Sequence, residues 1–215
     1  MKAHAEKQNK THRILVAPLD WGLGHATRVI PLIRALQGYG HYQVVLGVSG
    51  ASGRFLEAEF PELERIELAA ATIRYSRSSS QVWAMALQIP RLIISVFREH
   101  QQLKHIVETH GISAVISDNR YGLYLKGVPS VLILHQLNLL FPRGLNFWAR
   151  ILTWLQHHWI RRFDQVWVPD LQGDKSVAGW LSAAPHHLRH VYHIGLLSRF
   201  FYGSSRALPM TPSVE

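Results

Sequence analysis

Residues 13–25 read Arg13-Ile14-Leu15-Val16-Ala17-Pro18-Leu19-Asp20-Trp21-Gly22-Leu23-Gly24-His25. Residues 13–19 are a run of strand length, apolar after Arg13, and the turn DWGLGH breaks it. Residues 27–38 then set Ile30, Leu32, Ile33 and Leu36 at helical spacing, with Gly38 or Gly40 as the stop. A strand with no polar face, a glycine turn and a helix open a βαβ unit whose strand is covered on both sides.

The pattern repeats outward from that unit. Further strands are expected at 42–48, 64–71, 112–117, 130–134, 165–168 and 191–194. Helices are expected at 52–60, from 78–80 to His110 with a kink at Pro90, and at 145–163. The prediction is a Rossmann-like open parallel sheet of about seven strands with helices on both faces. Residues 1–12 read as a disordered leader, 13–202 as one domain, and 203–215 as a tail or truncated interdomain linker.

Composition limits what such a domain does. The chain has 215 residues, 47% hydrophobic and 17% charged, which excludes disordered and fibrous classes. Its 23 basic and 14 acidic residues give +9 before any of 14 histidines is protonated, a balance that favours anionic partners. There is no cysteine, so disulfides, thiolate metal sites and a cysteine nucleophile are out. The apolar stretches are too short or too interrupted by charge for the roughly 20 residues of a spanning helix. The expectation is a cytoplasmic protein, soluble or peripheral. Nucleic acid is not an expected partner, because no Lys/Arg run or known module accompanies the charge.

All strands of a parallel sheet end on one edge, where open α/β folds bind ligands. That edge collects Asp20 and His25, Ser49, Asp118 and Asn119, and His135 and Gln136. Gly22 and Gly24, ahead of a helix N-terminus, suit close approach of a phosphate. The same turn also reads as a purely steric need for glycine. A dinucleotide site is disfavoured, since Thr27 stands near the third glycine position and Val48-Ser49-Gly50 replaces the acidic strand end. The Lys-Ser/Thr pair of a P-loop is absent.

The stretch Leu15–His25 resembles the opening of GT-B glycosyltransferases, and more narrowly the family-28, MurG-like group and its relatives among the UDP-glycosyltransferases. Ser117-Asp118-Asn119-Arg120-Tyr121-Gly122, the run PSVLILHQ ending at Gln136, and Ile194-Gly195-Leu196-Leu197-Ser198-Arg199-Phe200 are similar to later segments of that N-terminal domain. The resemblance covers about residues 13–200. Relatives often carry a proline three residues after the motif histidine, whereas the first one here is Pro31.

The resemblance implies an acceptor-side domain of an enzyme that moves a sugar from a nucleotide sugar to an acceptor, lipid-linked or phosphorylated. A C-terminal donor domain is then expected beyond this chain, and without it the isolated chain is expected to be inactive. His25 would be the base and Asp118 the carboxylate that orients it, the logic by which a buried acid fixes an imidazole tautomer. Packing of the turn by His25 and an Asx-turn at Asp118 are the plainer readings. Substrate contacts are expected from Gly22, Gly24, Arg28, Asn119, Arg120, His135 and Gln136, with Asn138 beside them; Arg28 and Arg120 would take acceptor phosphate. No metal and no cofactor is called for. The alternative is a non-catalytic module that binds a lipid or phosphorylated ligand.

One helix carries a separate signal. Over 145–163, Trp148, Ile151, Leu152, Leu155 and Trp159 form a stripe expected on the sheet. Phe147, Arg150, Trp154, His157 and Arg161 are expected outward, an aromatic and basic face suited to an anionic membrane surface.

Overall fold

A computed structural model describes residues 11–69, 89–139 and 146–201. Seven strands form one sheet in the order β3-β2-β1-β4-β5-β6-β7, every neighbouring pair parallel. They are β1 (His12–Pro18), β2 (Tyr42–Val48), β3 (Glu64–Glu67), β4 (Ala114–Asp118), β5 (Ser130–Ile133), β6 (Gln165–Val168) and β7 (Val191–His193). The chain reverses direction across the sheet between β1 and β4. This is the switch point at which such sheets open a crevice.

The helices are α1 (Leu23–Gly38), α2 (Gly50–Glu59), α3 (Ile89–His110) and α4 (Asn146–Ile160). Side chains of β1, β2 and β4 alternate between two cores, as the period of a pleated strand requires. Ile14, Val16, Val44 and Leu46 face α1 and α2, while Leu15, Ala17, Val45 and Val115 face Leu103 and Ile106 of α3. A third core joins β5, β6 and β7 to Ile160 and Phe163 at the end of α4. The strands were legible as unbroken apolar runs because both faces are buried.

Some boundaries differ from expectation. β1 begins at His12, one residue before the expected strand, and His12 pairs in register with Tyr42. α1 begins at Leu23 rather than 27, because Gly22 (φ 89) turns the chain directly into the helix. β3 is shorter than 64–71, since the Ala69 N–H leaves the ladder for Gln102 Oε1 at 2.8 Å. The expected helix start at 78–80 and the expected tail at 203–215 lie outside the described residues, as do the first ten residues of the expected leader.

Candidate active site

β4 and α1 build the site. In register, Pro18 lies beside Asp118, and the Leu19 N–H donates to the Asp118 carbonyl at 3.0 Å. The chain therefore leaves β1 alongside Asp118, and two short steps later Gly22 turns it into α1. His25 falls in the first turn, with its Nδ1 2.9 Å from Asp118 Oδ2. Asp118 is wholly buried and His25 only 9% exposed. An ionised carboxylate only accepts, so the proton sits on Nδ1 and the lone pair of His25 is on Nε2. Nε2 has no partner among the described residues and is not sealed from solvent.

Arg28, one turn along α1, closes the other side. Its Nη1 donates to Asp118 Oδ1 at 3.3 Å and to His135 Nδ1 at 3.5 Å. His135 follows β5, whose Ile133 is in register with Asp118, and its ring lies 6.4 Å from that of His25. Burial first, then Arg28 and His25, push the His135 pKa below the ordinary imidazole value, with Asp118 opposing. Two strand ends and two turns of α1 thus bring together four polar side chains.

The two glycines of the turn differ. Gly22 needs its glycine for φ 89. Gly24 is helical, and an added Cβ there would meet nothing within 4 Å. The interior of the fold gives Gly24 no steric reason. The first turn of α1 carries no acidic residue and no side-chain cap, so its first N–H groups have no side-chain partner among the described residues.

Arg120 corrects the sequence reading. Expected on acceptor phosphate, it is 1% exposed with its guanidinium turned inward. It donates to the Pro18 carbonyl, the Ala69 carbonyl, Glu99 Oε1 (2.9 Å) and Ser49 Oγ, joining the ends of β1, β2 and β3 to α3. Asp20 is likewise structural: its Oδ1 accepts the Ser52 N–H at 2.9 Å and caps α2. Asn119 adopts φ 60 beside Asp118, its N–H on the Ile133 carbonyl at 3.1 Å. Gln136 is half-buried, and its carbonyl takes the Gln156 side-chain amide. The Asn138 side-chain amide donates to the carbonyls of Trp180 and Ala183.

The sequence signal for the Arg120 cluster lay in α3. Glu99 shares a helical face with Val96, Leu103 and Ile106, and a carboxylate on a buried stripe demands a partner. The partner's identity was not legible.

On α4 the outward face carries Arg150, Trp154 (65% exposed) and Arg161, as expected, with Ile151 joining them instead of facing the sheet. His157, expected outward, is buried: Nε2 donates to the Leu137 carbonyl at 2.9 Å and Nδ1 meets His187 Nε2 at 2.9 Å. The side chains of Phe147 and Trp148 lie outside the described residues. Among the described residues no helix is long and apolar enough to cross a membrane, and no group of three acidic, histidine or cysteine residues is placed to hold a metal ion.

The architecture is similar in fold to solved glycosyltransferases of the GT-B type. A UDP-glucosyltransferase from Polygonum tinctorium aligns with a TM-score of 0.54 at 14% identity, over 88% of this chain and 53% of that one. Phytolacca americana UGT2, complexed with UDP-2fluoro-glucose and pterostilbene, aligns at 0.56 and 13% identity, over 87% and 54%. The glycotransferase of kitacinnamycin aligns at 0.55 and 16%, over 93% and 55%. The chain spans about half the length of these proteins. At such identities the likeness is one of fold. No family model and no curated protein matches the sequence.

Proposed function

We propose that this chain is the acceptor-side domain of a nucleotide-sugar-dependent glycosyltransferase, with His25 as general base and Asp118 as the acid that orients it. The observation that carries the reading is the 2.9 Å pair between His25 Nδ1 and a fully buried Asp118, which leaves the Nε2 lone pair at the rim. In the reaction, Nε2 takes the proton of an acceptor hydroxyl while its oxygen attacks the anomeric carbon. The bond to the nucleotide diphosphate breaks, and its electron pair leaves with the diphosphate. Asp118 stabilises the imidazolium that forms.

The open Gly24 and the uncapped start of α1 support a diphosphate or sugar close to the backbone. Donor binding is completed by a second Rossmann-like domain, a reading supported by the half-length match to the UDP-glycosyltransferases. The protein works on the cytoplasmic side, its α4 face resting on an anionic membrane. A screen of nucleotide sugars against hydroxyl acceptors, run with both halves present, tests the reading. Transfer that depends on His25 supports it; transfer that survives His25→Ala with folding intact removes it.

A further inference from the structure

The tautomers of the two rim histidines are set in opposite senses. His25 faces a carboxylate through Nδ1, so its Nδ1 carries the proton. His135 faces the Arg28 guanidinium through Nδ1. A guanidinium only donates, so that nitrogen holds a lone pair and the proton of a neutral ring must sit on Nε2. The second N–H on the same Arg28 nitrogen goes to Asp118 Oδ1, which ties both imidazoles to one anchor. No described residue takes the Nε2 of either ring, and neither atom is sealed from solvent.

We infer that His135 is a positioning residue for the acceptor nucleophile: Arg28 fixes its Nε2–H, which donates to the same hydroxyl oxygen whose proton goes to His25. The inference rests on the glycosyl-transfer reading for its substrate but not for its tautomers. The ring centres stand 6.4 Å apart, close enough for one bound oxygen to reach both rings. One proton acceptor beside one proton donor is complementary to a neutral hydroxyl. An ionised carboxylate or phosphate has no proton for His25, and an ammonium has no lone pair for His135. The rim therefore fits a neutral nucleophile that both donates and accepts, and on the glycosyl-transfer reading that nucleophile is an uncharged alcohol. A charged His135 would still donate, but its Nδ1 proton would face Arg28. Burial first, and then the Arg28 charge, disfavour its charged form against the pull of Asp118.

Nitrogen-15 NMR of the histidine rings in this chain reads the tautomers without any substrate. At neutral pH the expected result is His25 protonated on Nδ1 and His135 on Nε2. Arg28→Met should leave the backbone spectrum folded while His135 goes over to mixed tautomers. A charged His135, a proton on its Nδ1, or no response to Arg28→Met overturns the inference, whatever the enzyme does. The second arm uses the enzyme with both halves. His135→Ala should lower kcat/KM for the acceptor by about 10- to 100-fold, the worth of one or two hydrogen bonds. His135→Gln, whose amide N–H sits near the Nε2 position, should recover most of that loss. Equal losses in the Ala and Gln variants, or none in the Ala variant, overturn the positioning role.

Discussion

The guanidinium of Arg120 and the carboxylate of Glu99 meet at 2.9 Å beneath the rim, with 1% and 3% of their surfaces exposed. Glu99 Oε2 also takes the Gly122 N–H. The pair holds α3 against the strand ends from which the loops of the site emerge. Its partners are fully engaged, so its role is to fix those ends.

Removing one member leaves a buried charge alone. Glu99→Ala should cost about 3–5 kcal/mol, measured by urea unfolding, and a double exchange to apolar residues of similar volume should recover much of it. Burial holds the Glu99 carboxyl above its ordinary value, although Arg120 and the Gly122 N–H pull it down. The native state then binds that proton more tightly than the unfolded chain. Its contribution is full below the ordinary carboxylate range and is lost as pH rises through the raised folded value. Glu99→Gln should flatten that part of the stability–pH curve.

Gly22 and Gly24 separate a steric glycine from a ligand glycine. Gly22→Ala forces a side chain onto φ 89 and should destabilise the fold by about 1 kcal/mol or more. Gly24→Ala meets open space in a helix and should leave stability unchanged or raise it by about 0.5–1 kcal/mol. Its effect should appear in activity, as weaker substrate binding. Thermal melts beside steady-state kinetics check both. A Gly24→Ala enzyme with unchanged KM values would return the turn to sterics alone.

Strands and helices were legible because the sheet is buried on both faces: β2 at Tyr42–Val48 and β6 at Gln165–Val168 are bounded as the runs predict. The rim was legible from topology, which places His25, Asp118 and His135 on one edge before any contact is known. Side-chain direction was not. Arg120 looked like a surface cation because an arginine after a strand usually is one, and its four partners come from residues 18, 49, 69 and 99. His157 looked exposed on a helical wheel, yet α4 sits rotated so that it meets the Leu137 carbonyl. Long-range partners decide both, and no local pattern encodes them.

The outward face of α4 predicts binding to anionic vesicles that weakens with salt. Arg150→Glu with Trp154→Ala and Arg161→Glu should abolish most vesicle flotation while leaving the fold intact, since Trp154 is 65% exposed and the two arginines are exposed as well. Flotation of the triple variant equal to that of the parent would make this face ordinary solvated surface.

The isolated chain should bind UDP-sugars only at millimolar affinity or weaker, about −4 kcal/mol or less favourable. Its rim offers the Gly22–Gly24 turn and the start of α1, and on the proposed glycosyl-transfer reading the rest of the donor's contacts come from a second domain. Titration calorimetry checks this, and micromolar binding by residues 1–215 alone would contradict it.

On the proposed function, the His25–Asp118 pair takes the acceptor proton. The direct measurement is turnover of the enzyme with both halves present, parent against His25→Ala and Asp118→Asn, each confirmed folded. A fall of about 100- to 10,000-fold is expected for His25→Ala, and a smaller one for Asp118→Asn, which keeps the imidazole but loses the charge behind it. Full turnover by folded His25→Ala would contradict it.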